Sequence, residues 1–184
     1  VPILQDHNTG VTPIQRLDAI DDRFYAATVM KNKITGANTL WTAHHFQVNT
    51  AGAASSTGGR NGSRWYEIGS LTTTPTIVQL GTVFDATATA SNPRGYWFPS
   101  IVSSGQGHAV IGTSTASAVN FVDAAVAGRY RTDALGTTQP PTLATASSTV
   151  YNQEAGTDGK RWGDYSQTVV DPKDNMTIWT FQQY

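Results

Sequence analysis

The tetrapeptide Thr39-Leu40-Trp41-Thr42 returns near the carboxyl end as Thr177-Ile178-Trp179-Thr180, and midway between them, 69 residues from each, stands the apolar segment His108-Ala109-Val110-Ile111. Each of the three follows a strand candidate and a turn: Arg23 to Val29, Tyr96 to Val102 and Trp162 to Val170. A second echo pairs Asn61-Gly62-Ser63-Arg64-Trp65 with Asp158-Gly159-Lys160-Arg161-Trp162. Units of about four short strands repeating along a chain point to small antiparallel sheets stacked around an axis, the β-propeller. A spacing of 69 exceeds the roughly 40–50 residues of common blade repeats, so long loops must absorb the difference.

Working outward from these segments, the chain reads as short aromatic and β-branched runs broken by Gly, Asn and Ser clusters. Further strand candidates are Thr39 to Val48, Ser63 to Leu71, Thr76 to Phe84, His108 to Thr113, Asn120 to Tyr130 and Met176 to Tyr184. Residues 1–20 read as an extended lead-in. Residues 21–184 then divide into about two and a half blades, approximately 21–90, 91–155 and 156–184. Only Asp123 to Gly128, rich in Ala, has helical character, and it is too short to specify a helix. Ala51 to Gly62 reads as a long surface loop, and the low-complexity residues 135–160 as a mix of loop and edge strand.

Composition agrees with an all-β chain. Charged residues are 14% of the 184, against about 25% in an ordinary domain. Thr, Ser, Gly and Ala fill the gap, and Thr favours strands. A net charge of −1 and a pI near 6.4 give no bulk field for holding nucleic acid. No run approaches the ~18 apolar residues of a membrane span. The absence of cysteine excludes disulfides, thiolate zinc sites and a Cys nucleophile together. Val1 opens without a basic and apolar leader, which reads as a mature or truncated start. Two and a half blades fall short of the about four that close a ring. Three readings follow: a fragment of a larger propeller, a chain completed by another chain, or a β-sandwich. The end at Tyr184, inside a hydrophobic strand, favours the fragment.

The residues also carry a resemblance. Arg16-Leu17-Asp18-Ala19-Ile20-Asp21-Asp22-Arg23, Leu40-Trp41-Thr42-Ala43-His44 and Arg64-Trp65-Tyr66-Glu67-Ile68, then Trp97-Phe98-Pro99-Ser100-Ile101 and Arg161-Trp162-Gly163-Asp164-Tyr165-Ser166 with Val170-Asp171-Pro172, resemble secreted bacterial proteins bearing a large propeller of sialidase-like architecture. The resemblance runs from Arg16 onward and implies the carboxyl-terminal half of such a propeller, at an extracellular or cell-surface location. It implies little chemistry, the activity of that group being mostly unassigned.

Candidate site residues divide by chemistry. Asp164 and Tyr165, placed on the first strand of the last unit, would face a central channel; the plainer role for Asp164 is to accept hydrogen bonds from Arg161. His44 is an acid/base or donor candidate, while its neighbour His45 must point to the opposite face, so the two cannot share a metal. A sialidase-like glycoside hydrolase would need arginines around a carboxylate, with a Tyr nucleophile assisted by Glu and an Asp acid. Arg23, Arg64, Arg94 and Arg161 with Tyr66, Glu67 and Asp164 supply those types, but the full Ser-x-Asp-x-Gly-x-x-Trp box is absent. Trp65, Tyr66, Trp97 and Trp162 are candidate sugar-stacking platforms, set against a packing role for most aromatics. Trp41 and Trp179, being repeated, are expected in the core. Calcium is the only cation the composition suggests, through plentiful Asp; Asp171, Asp174 and Asn175 otherwise form a hairpin turn. The expected function is a non-catalytic extracellular scaffold or binding module for a glycan or surface protein, with glycoside hydrolase and structural assembly subunit as alternatives.

Overall fold

In a computed structural model of the chain, residues 1–10, 16–87, 91–151, 155–156 and 159–184 are described. No described residue is helical. Four strands, β1 (Ala26–Lys31), β2 (Asn38–Val48), β3 (Arg60–Gly69) and β4 (Thr76–Val83), pair antiparallel in chain order as a first sheet. The second sheet is built the same way from β5 (Gly95–Ser103), β6 (Ala109–Ser117), β7 (Asn120–Arg129) and β8 (Thr142–Leu143). A small ladder joins β9 (Ala155–Gly156) to β10 (Gly159–Lys160), and β11 (Gln167–Val170) pairs with β12 (Ile178–Phe181) as the last sheet. Asp123 to Gly128 lies within β7, so its alanines are strand residues. Asp158 of the Asp158-Gly159-Lys160-Arg161-Trp162 echo lies outside the described residues.

The sheets stack in order. β5 is buried at every position because it packs on β2 and β3 to one side and on β11 to the other. The first interface is apolar: Trp41, Ala43, Trp65 and Val83 of the first sheet meet Tyr96, Ile101, Ala109 and Ile111 of the second. Alternation puts Trp41 and Trp65 on that face, rings stacked with centroids 5.9 Å apart. The second interface is a chain of hydroxyls. Gln182 Nε2 donates to Thr180 Oγ1 at 2.8 Å, Thr180 and Thr168 hydroxyls are 2.9 Å apart, and Thr168 and Ser100 hydroxyls 2.8 Å apart. The Thr and Ser that replace charge in the composition thus work in the interior. There hydroxyls meet strand carbonyls or other hydroxyls, as Thr113 Oγ1 does in donating to Trp97 O at 2.7 Å, which satisfies otherwise costly buried polar groups.

All three sheets face the same way along the stack. Trp41 points toward the sheet that follows it in the chain. Val110 shares a face with Gly112, where a Cβ would overlap Thr180 and Gln182 of the last sheet. Trp179 lies opposite Thr180, whose hydroxyl faces back toward Ser100 through Thr168. Forward-facing residues therefore recur at the 69-residue spacing. Burial does not recur with them: Trp41 is 2% exposed and Trp179 55%. The expectation of a core Trp179 is corrected here, because among the described residues none packs over Trp179 and Phe181 on the forward face of β11 and β12.

The lead-in is pinned into the structure. Gln5 and Leu17 exchange backbone hydrogen bonds, each 2.8 Å, and Leu17 sits fully buried with Ala19, Trp97, Phe98 and Trp162. The chain passes through a left-handed residue ahead of β1 at Ile20 and ahead of β11 at Gly163, and within β5 at Phe98. At Phe98 this coincides with a register shift in the β5–β6 pairing.

Gly112 tests the tightness of the second interface. Gly112→Ala is expected to cost about 1–3 kcal/mol through overpacking, whereas Gly128→Ala, whose Cβ would meet only Ala109 O at 3.9 Å, should stay within about 0.5 kcal/mol. Urea unfolding of the two variants reads the difference; equal losses would mean that β6 and β12 are not in contact at Gly112.

Candidate functional site

The rear face of the first sheet carries a concentration of functional groups. His44 and Phe46 alternate on β2, Arg64 and Tyr66 on β3, and the pairings Thr42 with Tyr66 and His44 with Arg64 set all four side chains on one face. His44 Nδ1 lies 2.9 Å from the backbone oxygen of Asp22, and Nε2 lies 3.0 Å from the Tyr66 hydroxyl. A carbonyl only accepts, so Nδ1 carries the hydrogen; in the neutral ring Nε2 then accepts from Tyr66. Burial holds the imidazole below its ordinary pKa, outweighing the pull of the Asp22 carbonyl. The Phe24 ring lies 4.7 Å from His44, and the Arg64 guanidinium sits 4.8 Å over Phe46. His44, Phe46, Arg64 and Tyr66 line an open cavity of about 690 Å³ together with Pro2 and Asp22.

The other sequence candidates are placed differently. Glu67 is adjacent to Tyr66 and so faces the opposite side of the sheet, where its carboxylate accepts from Gln79 Nε2 at 2.5 Å. A tyrosine assisted by that glutamate is therefore not assembled. Trp65, Trp97 and Trp162 are buried and offer no shelf. Their indoles instead join neighbouring sheets: Trp162 Nε1 donates to Ser114 Oγ at 3.3 Å, and the Arg129 guanidinium lies 5.8 Å from the Trp65 ring. Tyr66 alone of the four aromatic candidates reaches the cavity.

Asp164 and Tyr165 precede β11, in a bend, rather than standing on a first strand. The correction has a backbone cause, since Gly163 is left-handed (φ 65°) and Asp164 has φ 135°, and neither extends a ladder. Arg161 donates to both Asp164 oxygens at 3.0 and 2.9 Å. Tyr165 is exposed, edge-on to Tyr25 at 6.1 Å, and the Tyr25 hydroxyl donates to Asp21 O at 2.9 Å. Arg23 pairs with Asp21 and holds that carboxyl well below its usual range, at about 2. The arginines are thus divided: Arg23 and Arg161 each neutralise a neighbouring aspartate, and among the described arginines only Arg64 lines the cavity.

The chain matches no family model, no curated protein and no solved structure. What the site can do follows from its geometry. Among the described residues no three His, Cys, Asp or Glu side chains are placed to hold a metal. Asp174 accepts from Met176 N, Thr177 N and Thr177 Oγ1, and Asp171 from Lys173 N, so these carboxylates fold the expected turn. Also among the described residues, no helix is long and apolar enough to cross a membrane. Asn61, first residue of a sequon, is fully buried, its amide donating to Ile3 O at 2.8 Å.

Phe46 and Asp22 line the cavity, and Phe24 packs on His44 without lining it; sequence reading selected none of the three. The His44-x-Phe46 and Arg64-x-Tyr66 spacings place each pair on one strand face, but only the β2–β3 register shows that the two pairs share it.

Proposed function

We propose that the chain is a non-catalytic binding and scaffold module of an extracellular β-propeller, its sheets being consecutive blades, with a glycan as the ligand of the His44–Tyr66 cavity. The observation that carries this reading is the composition of the cavity. Tyr66 provides a ring face beside the buried Phe46, Arg64 and the His44–Tyr66 pair provide fixed polar groups, and Asp22 is the only carboxylate residue among the described residues of the lining. Sugar C–H faces stack on such rings while hydroxyls take the hydrogen bonds. Hydrolysis by two carboxylates at a glycosidic bond finds one of them here. The common facing of Trp41, Val110 and Trp179 supports the blade reading, since sheets arranged radially repeat their orientation. The resemblance to secreted sialidase-like propellers points the same way.

The test is binding to a microarray of neutral and sialylated oligosaccharides. Binding is expected, with Tyr66→Ala weakening it by about tenfold or more, the worth of a good hydrogen bond with its ring contact. Tyr165→Ala, in the separate Tyr25 cluster, should leave it unchanged. Absence of binding to every glycan, or equal losses in the two variants, would overturn the reading.

A further inference from the structure

Among the described residues, exposed apolar faces lie at opposite ends of the stack. On the forward end, Val169, Trp179 and Phe181 share one side of the β11–β12 pair, with Trp179 55% and Phe181 65% exposed. On the rear end, the pairings Val29 with Leu40, Leu40 with Ile68 and Ile68 with Ile77 lay four apolar side chains in one row across all four strands of the first sheet. Val29 and Ile77 are themselves 55% and 57% exposed. Contiguous apolar rows of this kind on a sheet face mark contact surfaces.

Inside the chain the same two kinds of face already meet. The forward face of the first sheet, carrying Trp41, is covered by the rear face of the second, carrying Ile101, Ala109 and Ile111. Trp179 repeats Trp41 in sequence, in strand position and in direction, so the surface it forms suits the rear face of a sheet of this type. Leu40 lies on such a rear face and stands at the place of Ala109 in the repeat. We propose that the chain associates head to tail, the Trp179–Phe181 face of one copy taking the Val29–Leu40–Ile68–Ile77 row of a second copy. The contact is heterologous: each copy keeps one face free, so association continues until a ring closes or a filament forms. The inference rests on the blade reading for the equivalence of the faces and does not depend on the glycan.

Light scattering after size exclusion, over a concentration series, tests it with two variants at exposed positions. The unaltered chain is expected as multiples of 19.7 kDa. Trp179→Glu and Val29→Glu should each run as monomers with unchanged far-ultraviolet dichroism. An equimolar mixture of the two should form a 1:1 dimer and nothing larger, because each supplies the face that the other lacks. A monomeric unaltered chain overturns the proposal. So does a Val29→Glu chain that still dimerises, which would mean Trp179 packs on its own copy, and so does a mixture that stays monomeric. The glycan reading is scored separately, by binding to the microarray on the monomeric Trp179→Glu chain, whose cavity no second copy covers.

Discussion

Replacing His45 with leucine is expected to destabilise the chain by about 2–4 kcal/mol at neutral pH, and to make that deficit shrink as the solution is acidified. His45 is fully buried between the first two sheets. Its Nε2 lies 2.7 Å from Ala19 O and its Nδ1 3.2 Å from Phe98 N. The carbonyl accepts and the amide donates, so the ring is neutral, with its hydrogen on Nε2. Tyr25 stacks on it at 5.4 Å and Phe98 meets it edge-on at 5.2 Å. Leucine leaves a buried N–H and a buried C=O without partners, at about 1–3 kcal/mol each.

The pH dependence has a definite sign. Burial lowers the His45 pKa to about 4 from 6.5. Between those values the unfolded chain binds the proton and the folded chain does not, so stability falls as pH drops through that window. The span corresponds to about 3 kcal/mol. Above pH 6.5 the contribution is present in full. The leucine variant lacks this loss, so denaturation curves of the two proteins should converge toward pH 4. Parallel stability profiles, separated by a constant amount, would show that His45 is not the neutral bridge described.

Trp65→Ala is expected to cost about 3–5 kcal/mol, the range for removing a buried Trp. The ring is wholly buried, stacks on Trp41 and carries the Arg129 guanidinium on its face. Gly81 backs it on β4, where a Cβ would come within 2.6 Å of the indole. No side chain there can swing into the space left behind. Denaturant unfolding measures the loss. A double-mutant cycle with Trp41→Ala should return a coupling of about 1 kcal/mol, the part of the aromatic contact beyond area burial. A loss below about 1.5 kcal/mol would mean that the first and second sheets do not depend on this pair.

Strand positions were legible where short apolar runs are clearly bounded. Asn120 to Tyr130 and Tyr96 to Val102 are read closely, because each is a short run rich in aromatic, β-branched or small apolar residues that Gly or polar residues close. Trp162 to Val170 is read too long: residues 162–166 are irregular, since Gly163 and Asp164 take positive φ values that a propensity count does not register. Ala51 to Gly62 is read as loop to its end, although residues 60–62 belong to β3 and are buried. Arg60 there donates to the carbonyls of Asp85 and Thr87, partners 25 and 27 residues away. Of the site, His44 and Tyr66 were legible as residue types. Their hydrogen bond was not, because it depends on the register of β2 against β3.

By itself the sequence determined an all-β chain without helix, the places of most strands, and the opposite facing of His44 and His45, since these follow from local periodicity and backbone preference. Only the tertiary structure decided which indoles are covered. Trp41 and Trp179 have closely similar neighbours in sequence and the same direction in the stack, yet one is buried and the other exposed. Burial belongs to what packs on a residue, and no local pattern encodes whether another sheet is there.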